Sequence, residues 1–203
     1  MIEVQFKEMM HLIGLAHRAQ ARCQSEKTDA QRAFETLLRR TIEVVGPTFI
    51  AEEESEEALL NRHEVSIAKE VADEKGIEHR FCDPTQEERV AIGYMDCRAI
   101  WQQRMGEMLP GNELDMKAQA IEIACYFPIR EQFWLEKLDG CRNESVIFVC
   151  GDGHIETFCK LLERESIEHE VVKRGIGRDG RDDEFYRAVQ YLKEHPELSE
   201  CAG

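Results

Sequence analysis

Two glycine–histidine segments each follow directly on a run of apolar residues. The first, GLAH at residues 14–17, follows the apolar run at 9–13, and the second, GDGH at residues 151–154, follows the run at 146–150. Glycine lets a backbone turn sharply without a Cβ clash, and open parallel sheets bind ligands at the carboxyl ends of their strands. We therefore expect His17 and His154, far apart in the chain, to meet at one site.

Short apolar runs alternate with segments of helical spacing along the chain. The pattern predicts strands at 9–14, 48–51, 77–82, 145–150 and 167–172, and helices at 28–45, 55–75, 155–165 and 185–194. Such alternation with few hairpin turns favours an α/β fold, with a largely parallel sheet flanked by helices. We predict one domain over residues 1–203, with a helical insertion or lid at approximately 85–139 and a loop at 175–183.

Composition limits the classes of partner. The formal net charge of −15 opposes binding to nucleic acid or to an anionic membrane, since both require a cationic face. No apolar stretch approaches the roughly 20 residues that span a bilayer, and the N-terminus does not resemble a signal peptide. We therefore expect a cytoplasmic protein that binds neither nucleic acid nor a membrane.

The eight cysteines include no C-x-x-C pair, which disfavours a zinc ribbon or a thioredoxin-like site. Cys82 and Cys150 lie in strand-like runs, where a free thiol behaves as a small apolar side chain. We expect most of the cysteines to be reduced and structural.

Acids and imidazoles follow several predicted strands. Glu52 and Glu53 end one strand, Asp83 ends another, and His17 and His154 follow the two glycine motifs. Imidazole nitrogens and carboxylate oxygens are ligands of zinc, manganese, iron and cobalt. A metal ion with an open position lowers the pKa of bound water to about 7 and generates a nucleophile. The pattern thus predicts a metal or acid–base site at the sheet edge.

Structural explanations exist for each of these residues. Side chains alternate along a strand, so only one of Glu52 and Glu53 is expected to face the site, and the acidic run also suits the first turn of a helix. Asp83 precedes Pro84, as in many turns, and Arg130 has carboxylates to pair with on its own helix. The remaining histidines are expected to be buried by packing (His11) or at the surface (His63, His79, His169 and His195).

The order of these pieces resembles one superfamily, which contains the TraB/PrgY proteins, the Tiki proteases, the ChaN-like haem-binding proteins and the erythromycin esterases. The matching segments are residues 12–17, residues 47–53, residues 81–83 with Arg89, Arg130 with Glu131, Trp134 and Leu138, and residues 149–154. The chain departs from the family pattern at Leu15, where relatives often have a small hydroxyl residue, and at Glu131, where asparagine or aspartate is common.

The resemblance implies a metal-dependent hydrolase of an ester, peptide or related acyl substrate. His17, Glu53 and His154 would hold manganese, cobalt or zinc, with Glu52 as the alternative to Glu53. Asp83 would orient a ligand, and Arg130 would hold a substrate carboxylate or an oxyanion. The motif glycines (Gly14, Gly151 and Gly153) are the expected cofactor-contacting positions. A metal-free enzyme with a histidine base uses the same residues.

Two alternatives to a hydrolase remain. A ChaN-like relative would bind haem or another ligand without converting it, with Tyr94 or Tyr126 as axial ligand. In the other, the chain is a sensor or interaction module whose site only stabilises the fold. The apolar residues at 101–109 and 121–134 suit either a homodimer interface or a cap on the sheet.

Overall fold

The computed structural model describes residues 9–23, 26–104, 111–138, 144–178 and 183–199. The strands are β1 (Met10–Leu15), β2 (Ala21–Arg22), β3 (Phe49–Glu52), β4 (Val65–Ser66), β5 (Glu78–Phe81), β6 (Val146–Gly151) and β7 (His169–Ile176). The helices are α1 (Asp29–Val45), α2 (Glu56–Arg62), α3 (Ile67–Lys75), α4 (Gln86–Ala91), α5 (Cys97–Arg104), α6 (Gly111–Ile121), α7 (Phe127–Lys137), α8 (Ile155–Arg164) and α9 (Asp183–Glu194).

Five strands form one parallel sheet in the order β5-β3-β6-β1-β7. Every residue of β1 and β6 is buried, as expected for strands covered on both faces. Leu15 pairs with Gly151, and Glu52 pairs with Val149, so β1, β3 and β6 end side by side. This register brings the segments that follow the three strands to one edge of the sheet.

Helices cover both faces of the sheet and confirm the predicted α/β architecture. On one face Trp134 of α7 and Phe158 of α8 pack against Phe148 of β6. On the other face α1 and α3 cover the sheet, and the buried cluster there contains Phe34 and Val71. The predicted site, at the carboxyl ends of the strands, therefore lies at one edge of a sheet that has an apolar cluster on each face.

Helix α1 ends where its sequence predicts. Thr28 and Gln31 form a reciprocal capping box at its start, and Gly46 closes it in the left-handed region with φ of 58°. The apolar stripe between these caps faces the sheet.

The prediction of a single helix at 55–75 is wrong, because the segment forms two helices separated by a short strand. His63 adopts a positive φ of 54° and ends α2, after which β4 pairs antiparallel with β2. Ser66 then caps α3 by accepting a hydrogen bond from the Lys69 amide. No glycine or proline marks this break, because a histidine takes the left-handed position that glycine usually occupies.

The segment predicted as an insertion is largely helical in its described parts, with a non-helical connection at 92–96, and α7 packs directly on the sheet through Trp134 and Leu138. A π-helical turn, Glu122–Tyr126, joins α6 to α7. In the predicted loop at 175–183, β7 continues to Ile176, and residues 179–182 lie outside the described residues. None of the helices described is long and apolar enough to cross a membrane.

Candidate active site at the carboxyl ends of the strands

The segments that follow β1 and β6 line a cavity of about 250 Å³. Helix α7 contributes Phe127 and Arg130, and α9 contributes Phe185 and Tyr186. The other lining residues are Leu15, Ala16, His17, Glu122, Gly151, Asp152, Gly153, His154 and Arg178. Both motif histidines thus reach the same cavity, as their positions after the glycines predict.

Glu53 lies at the centre of this site, and its side chain is fully buried. Its Oε2 accepts a hydrogen bond from the Gly151 amide at 2.6 Å. Its Oε1 lies 2.9 Å from Arg130 Nη1, 3.5 Å from His154 Nε2 and 3.7 Å from His17 Nε2. Among the described residues this Oε1 has no partner with hydrogen-bond geometry, so it keeps its capacity to accept a proton or a hydrogen bond.

The glycines of the two motifs permit close approach of side chains. A Cβ at Gly151 would lie 2.8 Å from His17 Nε2 and 3.2 Å from Glu53 Oε2. A Cβ at Gly153 would lie 2.8 Å from the Phe185 ring, and both positions line the cavity. Gly14 instead adjoins Asp152 and Ile155, so the structure assigns it to packing under the motif.

Arg130 lies between the carboxylates of Glu53 and Asp83, which follow β3 and β5. Arg130 Nε donates to Asp83 Oδ1 at 2.6 Å, and Arg89 donates to Oδ2 at 2.7 Å. Although burial alone would raise the pKa of Asp83, the Arg130 charge holds it below its usual range. Burial likewise opposes the charge on Arg130, but Glu53 and Asp83 raise its pKa above its ordinary value. Pairing of Arg130 along its own helix is therefore the wrong alternative.

His154 is held from both sides. Its Nδ1 lies 2.8 Å from Glu131 Oε1, which also accepts a hydrogen bond from the Thr157 hydroxyl. The Phe127 ring stacks on the imidazole at 3.7 Å between centroids. Burial, reinforced by the charge of Arg130, lowers the pKa of His154 well below its usual range. The imidazole is therefore neutral near neutral pH.

Glu131 is a site residue that motif reasoning did not assign. Burial raises its pKa to about 8, so the carboxyl group is largely protonated at neutral pH. Its position carried a signal: Phe127, Trp134 and Leu138 place it on the buried stripe of α7. An acid on such a stripe needs a partner, and His154 is that partner.

Glu52 points away from the cavity, as strand alternation requires. Its carboxylate accepts hydrogen bonds from Ser66 and, at 2.9 Å, from Gln20 Nε2. His79 Nε2 also lies 2.9 Å from Oε1 of Glu52. The predicted surface position of His79 is wrong, because its side chain is only 2% exposed. Because side chains alternate along a strand, its charged neighbours Glu78 and Arg80 lie on the opposite side of the edge strand β5. The prediction from these neighbours is therefore misleading.

The outer wall of the cavity contains polar residues that sequence reasoning also missed. Asp152 accepts hydrogen bonds from the Gly175 amide at 2.9 Å and from the Tyr186 hydroxyl at 3.0 Å. Glu122, in the π-helical turn, accepts hydrogen bonds from the Tyr94 hydroxyl and the Cys97 amide. Burial raises the pKa of Glu122. These contacts join residues that are distant in sequence, so no local sequence pattern predicts them.

The two cysteines predicted to lie in strands are poor candidates for a nucleophile. Cys82 and Cys150 are buried free thiols, as predicted. Burial raises the pKa of Cys82 to about 12 and that of Cys150 well above its usual value, so neither forms a thiolate readily. Cys125 is disulfide-bonded, while Cys141 and Cys201 lie outside the described residues.

Two of the predicted metal ligands, Glu53 and His154, lie close to the positively charged guanidinium of Arg130. The Arg130 guanidinium lies against Glu53 Oε1 and 3.5 Å from His154 Nε2. Within the described part of the chain, no group of three His, Cys, Asp or Glu residues has an arrangement that suits a metal ion. As the side chains stand, the donor set fits a guanidinium better than a divalent cation. The metal site at His17, Glu53 and His154 stays a prediction.

Comparison of the chain with family models, with curated proteins and with solved structures finds no match. The resemblance described above therefore stays a resemblance, carried by its residues alone.

Proposed function

We propose that the protein is a metal-free hydrolase of a small ester or related acyl compound, with His17 as the general base. The observation that carries this proposal is the convergence of His17, His154 and Arg130 on one oxygen of the buried Glu53. Two imidazoles and a guanidinium around one carboxylate form an acid–base centre at the wall of a cavity.

His17 is suited to the role of base because it is the accessible member of the cluster. Its side chain is 57% exposed, whereas the His154 side chain is only 3% exposed. Its Nε2 faces Glu53 Oε1 at 3.7 Å, so the carboxylate stabilises the imidazolium that forms when His17 takes a proton.

The proposed reaction is hydrolysis without a covalent intermediate. His17 removes a proton from water, whose oxygen forms a bond with the carbonyl carbon. Arg130, which lines the cavity, stabilises the negative charge that develops on the carbonyl oxygen. The tetrahedral intermediate collapses, the bond to the leaving oxygen breaks, and His17 returns its proton to that oxygen. The products are a carboxylic acid and an alcohol.

Cavity size bears on the substrate and on the alternatives. A volume of about 250 Å³ lies below the roughly 300–1,000 Å³ of sites for drug-sized ligands, which favours a small molecule over a peptide or haem. Tyr94, an axial-ligand candidate for haem, donates its hydroxyl to Glu122. A non-catalytic haem-binding role therefore has less support than hydrolysis.

We also propose a cytoplasmic location. The free thiols at Cys23, Cys82, Cys97, Cys150 and Cys159 favour a reducing compartment, while the disulfide at Cys125 is the observation against it.

A homodimer formed through the apolar residues at 101–109 and 121–134 is also a proposal. Measurement of the molecular mass of the protein in solution tests it.

The first experiment assays the purified protein on short-chain esters and thioesters, with and without EDTA. We expect hydrolysis that EDTA leaves unchanged, and loss of at least about a hundredfold in kcat/KM for His17→Ala. The matched control is His195→Ala, which removes a half-exposed histidine near the C-terminal end of α9. Equal activity of His17→Ala and the wild type would refute the assignment of the base.

A metal measurement separates the proposed enzyme from its metal-dependent form. Elemental analysis is made on the wild type and on the His17→Ala/His154→Ala double variant, each before and after incubation with manganese, cobalt or zinc. The metal-free proposal predicts no stoichiometric metal in either protein. Stoichiometric metal in the wild type alone, with EDTA-sensitive activity, would establish the metal-dependent enzyme instead.

A further inference from the structure

The cavity is lined by two arginines whose surroundings differ. Arg130 has a side chain that is 12% exposed and lies between the carboxylates of Glu53 and Asp83. The side chain of Arg178 is 32% exposed, and its Nη1 lies 3.2 Å from Asp152 Oδ2. Among the described residues this is the one ion pair of Arg178. Arg130 is thus enclosed by its counter-charges, and Arg178 is open to the cavity.

Asp152 does not neutralise Arg178 fully, because it serves a second arginine. Arg174 Nε lies 3.3 Å from Asp152 Oδ1, and two neutral donors, the Gly175 amide and the Tyr186 hydroxyl, use the same carboxylate. The other carboxylate near Arg174 is Glu156, whose side chain is 70% exposed at the rim and is screened by solvent. Asp152 is therefore a buried carboxylate that two arginines share, and Arg178 has no second carboxylate among the described residues.

The Arg178 guanidinium is held in a fixed plane. Its Cζ lies 4.1 Å from the centroid of the Tyr186 ring, in a cation–π contact. Only Nη1 donates a hydrogen bond within the described residues, which leaves Nε and Nη2 as donors for another group. A planar guanidinium with free donors matches a carboxylate or a phosphate.

Aromatic side chains lie beside this charge. Phe127 and Phe185 stack with ring centroids 6.5 Å apart, and Phe185 contacts Tyr186 at 5.4 Å. All three line the cavity together with His17 and Arg178. The cavity thus combines an acid–base centre, an apolar wall and a cationic group. These features suit a ligand that has a reactive acyl bond, an apolar portion and an anionic group.

We propose that the substrate is an anionic acyl compound, whose carboxylate or phosphate group binds Arg178 while its ester or other acyl bond lies at His17. This inference rests on the proposed hydrolase function and narrows its substrate class. Arg178 determines specificity in this arrangement, and Asp152 and Tyr186 are positioning residues that orient it.

The test compares a charged ester with an uncharged one of similar length, monoethyl glutarate and ethyl valerate. The wild type is expected to favour the charged ester by at least about tenfold in kcat/KM, mainly through KM, and Arg178→Met to lose that preference. Arg178→Lys retains the charge without the planar fork and should retain part of the preference. Arg164→Met, which removes an exposed arginine on α8, should retain all of it.

A binding measurement that needs no turnover accompanies the assay. Glutarate and inorganic phosphate are titrated by calorimetry into the wild type and Arg178→Met, with circular dichroism to establish that both are folded. Tighter binding of glutarate than of phosphate identifies the anion as a carboxylate, and the reverse order identifies it as a phosphate. Either anion should bind the wild type at least about tenfold more tightly than the variant.

The outcomes separate this inference from the proposed function. Hydrolysis of both esters at equal kcat/KM, or an unchanged preference in Arg178→Met, would overturn the anion inference and leave the hydrolase standing. Arg178-dependent anion binding without hydrolysis of any ester would support the anion site and count against the hydrolase. Absence of both hydrolysis and anion binding would overturn both.

Discussion

Glu52 and Glu53 leave the end of β3 toward opposite faces of the sheet, and their buried carboxylates meet very different surroundings. Glu52 lies among Gln20 and Ser66, from segments outside the main sheet, and His79 of the neighbouring strand β5. Glu53 lies among Arg130, His154 and His17, which come from a helix and from the ends of two other strands. Both side chains are fully buried.

The difference lies in how each carboxylate is satisfied. Both oxygens of Glu52 accept hydrogen bonds, and Ser66 also caps α3, so this cluster fastens β3 to the helix behind it. Glu53 uses one oxygen on the Gly151 amide and leaves the other without a hydrogen bond in the described structure, beside a cavity. Burial of a charge costs several kcal/mol unless it is compensated. The charge of Glu53 is compensated by Arg130 at 2.9 Å, and the same oxygen faces two histidines that line the cavity, which supports a functional role. The contacts of Glu52 lie away from the cavity and support a structural role.

The largest expected effect is on catalysis at Glu53. Glu53→Gln removes the negative charge that supports protonated His17 and balances Arg130, so kcat/KM on the best ester should fall about a thousandfold. The amide oxygen can still accept the hydrogen bond from Gly151, which preserves the local fold. The control is Glu54→Gln, at a neighbouring acid that pairs with Arg62 instead. A folded Glu53→Gln protein with activity within tenfold of the wild type would remove Glu53 from the mechanism.

The reverse pattern is expected at Glu52. Glu52→Gln replaces one accepting oxygen with a donor facing either Ser66 or Gln20, which should lower the free energy of unfolding by about 2 kcal/mol. Activity per folded molecule should stay within about twofold, because the Glu52 carboxylate contacts Gln20, Ser66 and His79 and none of the residues proposed for catalysis. Urea denaturation and the ester assay on the same sample measure the two effects. A large loss of activity at unchanged stability would break the division between the two carboxylates.

A third prediction concerns the carboxyl group behind His154. The pKa of Glu131 is raised to about 8, so the folded protein binds a proton there that the unfolded chain releases above about pH 4.5. This contribution is complete at acidic pH and is lost as the pH rises through 8. The lowered pKa of His154 acts in the opposite direction, but only below about pH 6.5, where the unfolded chain protonates its histidines.

Between about pH 6.5 and 8 the Glu131 effect is therefore separate from that of His154, and comparison with Glu131→Gln isolates it from other groups. The free energy of unfolding of the wild type should fall across this window, by at most about 2 kcal/mol, and that of Glu131→Gln should fall by much less. Urea denaturation at several pH values in one buffer series measures the difference. Parallel pH dependences of the two proteins would show that Glu131 is ionised in the fold, and that His154 is held by a carboxylate.

Glu52 and Glu53 also show which features of the site could be predicted from the sequence. The apolar runs of β1 and β6 and the glycines after them predicted the parallel sheet and the meeting of His17 with His154, because strand ends in such a sheet share one edge. Alternation predicted that one of Glu52 and Glu53 faces the site. It did not choose between them, since the choice depends on which face receives α7.

The residues that were missed depend on contacts between distant segments. Glu131 acquires its role from His154, 23 residues away, and Asp152 acquires its role from Arg174 and Tyr186. The break between α2 and α3 rests on a histidine with positive φ and on the pairing of β4 with β2, neither of which leaves a local signal. The periodicity of a segment indicates which of its faces is buried. It does not indicate which distant segment that face will contact, and the missed features depend on such contacts.

The smallest expected effect sharpens the comparison by leaving both carboxylates in place. In Gly151→Ala the new methyl group would lie 2.8 Å from His17 Nε2 and 3.2 Å from Glu53 Oε2. The half-exposed imidazole can move aside at little cost in stability, and the buried carboxylate has to shift by only a few tenths of an ångström. Displacement of the imidazole from Glu53 should lower kcat/KM by about tenfold, since catalysis depends on ångström-scale placement. The unfolding free energy of the same variant serves as the control and should change by less than about 1 kcal/mol. Full activity in Gly151→Ala would mean that Glu53 does not act through His17, and the search for its catalytic partner would move to His154.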